Sequence, residues 1–506
     1  MAGELLSSTL LATFGLPTKG TWQTVPIQQI PADALYSASN VVIRAGNLQR
    51  RPGMSLFNSK DFAEPISGIF PYVKADGTFV PVVAGTQHLW KYASSTFTDI
   101  TGANFNGDAD HPVSLTELVI GSTAYVLRTN GNDAMRYWDG VAGTDTAVSG
   151  SPPVFTDICT AFDRIVGIKP PFQIQWGNAL SISTWSALNF RNLADTPDQV
   201  VAVKPYGATG ILVFKQRSVW PGFAQGGSNA QAFAFPGPIT HVDGPAGTKA
   251  IVTDGQGIYY WITPQGRIAM FDGTQVNWIA DGIWGLIQAD MDPQYMNRTV
   301  AMYSVANHEI MFFYPQNGTS GAQLGAAVVN LPRPDFGIPQ AAAFPWTMAT
   351  KVTGGSTIRL PTTNQDVDLV FSQEGAVVKS YTLSTGATTD GAASTWNGFW
   401  QTGMIPAHKM IPHRLDAIEP FLQRSGGYGS ITLKPVTSFI MDSASGTLGS
   451  GVSVSLTSTP TDTMTGMGSS RGRFFGLRVE FTSADNPKYT GAFMTGWPLE
   501  MRRALG

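Results

Sequence analysis

The sequence predicts an all-β fold, and three observations lead to that prediction. A phrase that ends in an aromatic residue and an Asp-Gly turn occurs twice, at residues 135–140 (MRYWDG) and 268–273 (IAMFDG). The chain holds 55 glycines and 33 prolines, which indicates many tight turns. Of its 35 acidic residues 27 are Asp, which favours turns, whereas Glu favours helix interiors.

The spacing of the aromatic residues predicts a β-propeller. Tyr92 in a looser copy of the phrase, Trp138 and Phe271 are separated by 46 and then 133 residues, and the second gap is about three steps of 44. Short strands with a period in the forties are typical of propeller blades. Blade-like units are expected at residues 80–100, 123–148, 164–183, 211–220, 258–271, 310–329 and 367–381. The blade count is therefore six or seven.

Three regions are expected along the chain. They are an N-terminal segment with a hairpin (1–57), the β-propeller (58–394) and a C-terminal β-sandwich-like domain (395–506). A Thr-, Ser-, Gly- and Ala-rich stretch marks the second boundary, and strand-like alternation resumes after it.

The local patterns of the N-terminal segment are more specific. Residues 31–40 suggest a short helical turn, and residues 41–44 suggest a strand that returns through residues 48–51. Helix is expected to be scarce elsewhere, with residues 282–290 as one short candidate.

The charge content indicates surfaces that face partners. Charged residues make up 13% of the chain, against roughly 25% in ordinary soluble domains. Residues 54–399 carry a net charge of −8, while residues 1–53 carry +2 and residues 400–506 carry +3. Cys159, the one cysteine, stands in an apolar context and reads as a buried thiol, which fits assembly in a reducing cytoplasm. No apolar run approaches the 18 residues or so of a membrane span.

The motifs of enzyme chemistry are not prominent in the sequence, and we expect no catalytic, cofactor-binding or metal-binding residues. A glycosidase propeller would need carboxylates that face one another across its channel. Asp163, Asp254 and Glu374 are nominal candidates for that role, as is any other acidic residue. Asp139 and Asp272 are better explained by the hairpin turns that they begin.

One family resemblance stands out. Residues 31–35 (PADAL), 38–41 (ASNV) and 46–53 (GNLQRRPG) resemble the opening of the tail nozzle proteins of short-tailed bacteriophages, also called tail-hub or packaged-DNA stabilisation proteins. Residues 162–167, 182–185 and 212–220 look like the propeller of that family, and residues 471–475 and 501–503 are similar to its C-terminal region. The likeness covers about residues 20–300 and, loosely, 400–506.

The resemblance implies a role in the virion. It implies a ring, usually of six copies, below the tail adaptor ring and beside tail fibre or needle proteins. The ring's channel would retain the packaged double-stranded DNA and release it during ejection, after assembly in the host bacterial cytoplasm. An acidic propeller region suits such a conduit, because cationic contacts to phosphates would add affinity and friction.

Two other functions stay open from the sequence. One is a carbohydrate-binding or carbohydrate-cleaving propeller of a receptor-engaging tail component, and the other is a cytosolic interaction propeller.

Two sets of structural residues can be named. Arg44, Arg50 and Arg51 form the best local basic cluster, which is either a solvated hairpin edge or a contact to a neighbouring subunit or the adaptor. The expected blade-core aromatic residues are Trp90, Tyr92, Trp138, Trp220 and Phe271.

Overall fold

Strand pairing organises the described residues into nine antiparallel sheets, seen in a computed structural model. The structure describes residues 9–226, 228–240, 242–333, 340–361, 363–391, 395–407, 410, 412–422, 429–439, 446–455, 465–466, 470–485 and 487–498. The closing phrase at residues 501–503 lies outside this part of the chain.

The N-terminal segment forms five strands. They are β1 (Thr9–Phe14), β2 (Leu35–Ser39), β3 (Val41–Arg44), β4 (Asn47–Arg50) and β5 (Gly53–Asn58), with a 3-10 turn at Ile27–Gln29 between the first two. Strands β3 and β4 form the predicted hairpin, in which Val41 lies opposite Arg50. The helical turn predicted at residues 31–40 is confined to residues 31–34, where the Ala34 backbone N–H donates to the Pro31 carbonyl oxygen (3.0 Å), because residues 35–39 extend into β2 and pair with the C-terminal region.

Seven sheets follow one another along the chain. The first sheet contains β6 (Ile66–Phe70), β7 (Val82–Gly85), β8 (Leu89–Ala93) and β9 (Thr96–Asp99), the second contains β10 (Ser114–Ile120), β11 (Thr123–Thr129), β12 (Arg136–Trp138) and β13 (Thr146–Ala147), and the third contains β14 (Asp157–Ala161), β15 (Arg164–Lys169), β16 (Gln173–Trp176) and β17 (Phe190–Asn192). The fourth contains β18 (Val200–Tyr206), β19 (Gly210–Lys215), β20 (Ser218–Ala224), β21 (Phe233–Ala234) and β22 (Ile239–Thr240), and the fifth contains β23 (Ile251–Thr253), β24 (Tyr259–Ile262), β25 (Ile268–Phe271) and β26 (Val276–Ile279). The sixth contains β27 (Val300–Ser304), β28 (Glu309–Tyr314), β29 (Gly325–Asn330) and β30 (Ala342–Thr347), and the seventh contains β31 (Lys351–Arg359), β32 (Asp366–Glu374) and β33 (Val377–Ser384). The predicted helix is confirmed as a 3-10 turn at Asp281–Ile283 that continues into α1 (Trp284–Asp290), and further 3-10 turns lie at Asn229–Gln231 and Met296–Arg298.

Hydrophobic clusters between consecutive sheets show that these sheets are the blades of a propeller. Each pair of neighbouring blades, including the last and the first, shares one buried apolar cluster. The all-β propeller is thus confirmed, and it has seven blades.

The five aromatic residues named from the sequence all lie on the third strand of a blade. Trp90 and Tyr92 are on β8, Trp138 on β12, Trp220 on β20 and Phe271 on β25, and each is less than 8% exposed. Trp138 and Phe271 lie three blades apart, which is why their spacing equals three repeats. The third blade differs from the expectation: residues 180–183 are a loop, and the blade is completed by β16 and β17.

The propeller is closed by the N-terminal segment. Strand β5 pairs with β33 and becomes the fourth strand of the seventh blade. On the inner side, β31 approaches β6 closely at Gly354, where a Cβ atom would lie 2.9 Å from the carbonyl oxygen of Ile66. The ring therefore joins strands from opposite ends of the propeller sequence.

The remaining strands form two facing sheets that the N-terminal segment shares. The strands are β34 (Asn397–Thr402), β35 (Ile405–Pro406), β36 (His413–Leu422), β37 (Ser430–Ser438), β38 (Thr447–Leu448), β39 (Val452–Ser455), β40 (Thr465–Gly466), β41 (Arg471–Gly472), β42 (Phe474–Thr482) and β43 (Lys488–Pro498). One sheet contains β1, β3, β4, β36, β40, β41 and β43, and the other contains β2, β34, β35, β37, β38, β39 and β42. Residues 1–57, treated as a separate region in the sequence, thus contribute strands to both sheets and to the propeller.

We expect Trp138→Ala to lower the free energy of unfolding by about 3–5 kcal/mol, because the indole is fully buried between two blades and leaves a cavity. Urea denaturation followed by circular dichroism measures this loss. Val141→Ala is the control: that side chain is 83% exposed three residues away, and its loss should stay within about 0.5 kcal/mol. Equal effects of the two substitutions would contradict the assignment of Trp138 to the blade core.

Candidate functional site

Arg51 lies at the point where the N-terminal segment leaves the sandwich for the propeller. Its guanidinium group forms a two-pronged ion pair with Asp390, with 2.8 Å between Nη1 and Oδ1 and a second contact between Nη2 and Oδ2. It also donates to the Asn40 side chain (2.9 Å) and lies 4.2 Å from the centre of the Trp396 ring. Both charged side chains are fully buried, so dissolved salt weakens their attraction much less than it weakens that of an exposed pair.

Arg44 makes a second ion pair, from the hairpin to the sixth blade. Its Nε and Nη2 atoms donate to the two carboxylate oxygens of Glu309 on β28, at 2.8 and 2.6 Å. Burial alone would lower the pKa of Arg44, but the attraction of Glu309 outweighs it and the pKa is raised. Asn330 donates to Glu309 (3.0 Å) and to the backbone oxygen of Ile43 (3.0 Å), which ties the hairpin to the blade a second time.

Arg50 contacts backbone oxygens on both sides of the junction. Its guanidinium nitrogens donate to the carbonyl groups of Thr385 and Ala387, which follow the last propeller strand, and of Ser483, which follows β42. The residue is 2% exposed. One side chain therefore connects the end of the propeller to the sandwich.

These contacts correct both sequence interpretations of Arg44, Arg50 and Arg51. A solvated edge or a subunit contact needs side chains that water or a neighbour can reach, and Arg50 and Arg51 are buried while the Arg44 side chain is 11% exposed. Their partners were invisible in the sequence because Glu309 and Asp390 lie 265 and 339 residues away. The three arginines form a joint between propeller and sandwich, which we call the arginine joint.

The second feature is the cavity on the propeller axis, with a volume of about 210 Å³. The first strand of every blade contributes to its lining, and the charged residues among the lining are Asp157, Lys204 and Lys249. Asp157 accepts hydrogen bonds from the Ser114 hydroxyl (2.5 Å), the Val203 backbone N–H (2.9 Å) and the Lys204 ammonium group (3.0 Å). This carboxylate is therefore fully engaged.

Lys249 is enclosed by the blades, and the surface it retains faces the cavity. Burial lowers the pKa of Lys249 to about 7, and the positive charge of Lys204 lowers it further while Asp157 opposes the shift. No sequence pattern marks this residue, since a lysine before a strand is ordinary.

One mouth of the channel is crossed by an ion pair between distant blades. Asp110, between the first and second blades, accepts hydrogen bonds from Nε and Nη2 of Arg298 (2.8 and 2.7 Å) and from Asn297 (3.0 Å), both between the fifth and sixth blades. The hydrogen bond from Arg298 is the main cause that lowers the pKa of Asp110 to about 2. A recess of about 30 Å³ next to this bridge is lined by Lys249, Arg298 and Lys351. The channel of one propeller is thus far too small to admit a DNA duplex.

The nominal glycosidase carboxylates do not come together. Asp163 and Asp254 lie in the turns between the first and second strands of blades three and five, whereas Glu374 ends β32 at the opposite end of blade seven. Asp254 accepts the Gln256 backbone N–H (2.8 Å), and Glu374 accepts the Tyr381 hydroxyl (3.0 Å). Asp254 and Glu374 therefore each stabilise their own hairpin.

Asp139 and Asp272 act in turns, as the sequence predicts. Asp139 accepts the backbone N–H groups of Val141 and Ala142 at 2.9 and 2.7 Å. Asp272 does the same for the two residues that follow Gly273, and these backbone hydrogen bonds lower its pKa to about 2. Cys159 is buried, and burial raises the pKa of its thiol.

No protein-family model matches the chain, and no curated protein matches it. Among solved structures, the chain is similar to one in a crystal structure of the mitotic checkpoint complex, with 12% sequence identity and a TM-score of 0.42. The similarity covers 66% of this chain and 97% of the other. The propeller assignment rests on the strand pairing described above.

None of the helices in the described ranges is long and apolar enough to cross a membrane.

Arg51→Met is expected to lower the free energy of unfolding by about 3–5 kcal/mol, because it leaves Asp390 buried without its partner. Urea denaturation measures the loss. Adding Asp390→Leu to the same chain should restore part of it, since no unpaired charge then remains. The control is Lys19→Met, which breaks a partly exposed pair with Asp33 and should cost less than about 1 kcal/mol. A loss as small as that of the control would contradict the arginine joint.

Lys249→Met is expected to change how stability depends on pH. An unfolded lysine titrates near pH 10.4, so between about pH 7 and pH 10 the unfolded wild type binds more protons at this position and its stability rises with pH. The variant should lack this part of the rise and should be more stable than the wild type at pH 6.5, by on the order of a few kcal/mol.

Urea denaturation at pH 6.5, 8 and 9.5 checks this expectation, with the exposed Lys60→Met as a control that keeps the wild-type slope. If the free energy of unfolding changes with pH equally in the wild type and in Lys249→Met, the pKa of Lys249 is not lowered in the folded protein.

Proposed function

We propose that this chain is a structural virion protein that forms the tail nozzle ring of a short-tailed phage. In this role it retains packaged DNA and lets the DNA pass during ejection. The observation that carries the proposal is the arginine joint, which fixes propeller and sandwich to each other as one building block. A ring that resists the pressure of packaged DNA needs subunits whose two parts do not move independently.

Some of the residues that carry the family resemblance build this joint: Arg50 and Arg51 lie in the phrase at residues 46–53. Asn40 adopts a left-handed backbone conformation (φ 60°). Its side chain accepts a hydrogen bond from Arg51 and donates one to the backbone oxygen of Asn397 (2.7 Å). Gly53 is required because a Cβ atom there would lie 2.7 Å from the carbonyl oxygens of Ala387 and Thr389. The phrases at residues 38–41 and 46–53 therefore encode specific buried contacts, and chains that share them are expected to share these contacts.

The narrow propeller channel determines where DNA would pass. With the axial cavity limited to about 210 Å³, the conduit in the proposed assembly is the bore between subunits. The net charge of −8 over residues 54–399, multiplied around a ring, would keep the duplex loosely held at such a bore.

Exposed apolar side chains on the propeller rim are the proposed contacts between copies. Val141, Leu180 and Leu188 are 83%, 54% and 71% exposed and lie in loops of the second and third blades. A closed ring needs a head-to-tail interface between two different surfaces of each copy. In the proposed tail the adaptor ring lies above this ring, and fibre or needle proteins are its other neighbours.

Immunogold labelling of purified particles of the phage that encodes this chain tests the proposal. Label is expected at the far end of the short tail, and particles assembled without the chain are expected to lose their DNA to added nuclease. Label confined to the capsid, or full DNA retention without the chain, would overturn the nozzle assignment. Label only on fibres would favour the receptor-engaging alternative.

A further inference from the structure

The axial cavity has an excess of positive charge. Asp157 is neutralised by Lys204 at 3.0 Å, and Arg298 is neutralised by Asp110 across the mouth. Lys249 and Lys351 remain, and the part of the chain that the structure describes offers neither side chain a hydrogen bond or an ion pair. Lys249 therefore lines the axial cavity without an ion-pair partner of its own, and Lys351 lies beside it in the adjoining recess.

An unpaired charge in an enclosed site is costly, since it loses hydration without gaining a partner. The propeller would be more stable with methionine or leucine at these positions, unless something supplies negative charge. Lys249 borders both the main cavity and the recess, and its ammonium group lies near enough to Lys204 and Asp157 of the main cavity to interact with their charges.

We propose that the axial cavity is a binding site for a small oxyanion of the size of sulfate or inorganic phosphate, with Lys249 as its principal ligand. Lys351, across the recess, adds positive potential, and the Asp157–Lys204 pair defines the opposite wall. A volume of about 210 Å³ admits such an ion with a few water molecules and excludes a nucleic acid strand.

The titration of the two lysines agrees with this geometry. Burial lowers the pKa of Lys249 and of Lys351, and nearby cations, Lys204 and Arg298 respectively, lower them further. A bound anion would reverse that balance and restore the ammonium form. The ion would thus connect the fourth, fifth and seventh blades, which carry Lys204, Lys249 and Lys351, at the centre of the propeller, independently of any role in a virion.

Thermal unfolding of the purified full chain tests the site, with sulfate as the probe because its charge is constant between pH 6 and 9. At pH 6.5, sulfate is expected to raise the unfolding temperature of the wild type along a saturating curve, beyond sodium chloride of equal ionic strength. At pH 9 the shift should shrink, because Lys249 is then neutral. Inorganic phosphate at pH 6.5 should act like sulfate.

Matched variants distinguish the site from general salt effects. Sulfate stabilises most proteins without saturation, and that effect acts on all variants alike. Lys249→Met should lose the saturating part, Lys351→Met should require more sulfate to reach half of the shift, and the exposed Lys60→Met should respond as the wild type does.

Two results would overturn the proposal: a saturating shift of the same size in Lys249→Met, or no saturating shift in the wild type. If Lys249→Met does not fold, calorimetric titration of the wild type decides the matter. One sulfate per chain, bound more weakly by Lys351→Met, supports the site, and the absence of saturable heat contradicts it.

Discussion

The pairing of β5 with β33 is the constraint on which the rest of the structure depends. It supplies the last strand of the seventh blade from a point more than 300 residues earlier in the chain. A propeller closed in this way keeps its ring only if that strand is held in register. The residues immediately before β5 hold it, because Arg50 and Arg51 fix the chain where it leaves the sandwich. Closure of the ring and assembly of the sandwich are therefore coupled through one short segment.

Buried ion pairs are a costly means of achieving this coupling, since hydrophobic replacements of a whole pair are often as stable. What they add is geometry. A two-pronged contact such as Arg51 with Asp390 or Arg44 with Glu309 sets the angle between two bodies as well as their distance. The same use of charge in the interior, also seen where Arg128 meets Asp145, leaves the surface even poorer in charge than the composition suggests. Such a surface is what the proposed ring would need, because neighbouring copies would cover much of it.

The sequence predicted those parts of the fold that arise from local pattern. The spacing of Tyr92, Trp138 and Phe271 revealed the blades, because each aromatic residue is the last or next-to-last residue in the third strand of its own sheet. The turn roles of Asp139 and Asp272 followed from the Asp-Gly dipeptide alone. These features depend on residues within one hairpin.

The parts that failed depend on partners far away in the chain. The sequence predicts surface positions for the three arginines of the joint, because they stand in a hairpin sequence that is typical of an exposed edge. Only the fold places Glu309 and Asp390 next to them. The helical turn predicted at residues 31–40 is confined to residues 31–34, because residues 35–39 pair with β34. The axial lysine was unrecognisable for the same reason, since its environment is made by seven separate blades.

Hydrogen exchange of the wild-type chain in increasing urea, resolved by mass spectrometry, tests the central claim most directly. The claim is that the N-terminal segment makes the propeller and the sandwich one cooperative unfolding unit. The backbone amides of β3 and β4 in the sandwich and those of β5 and β33 in the propeller should then lose protection at the same urea concentration. Loss of protection in β3 and β4 at clearly lower urea, with β5 and β33 still protected, would show that the two bodies unfold separately and would contradict the account.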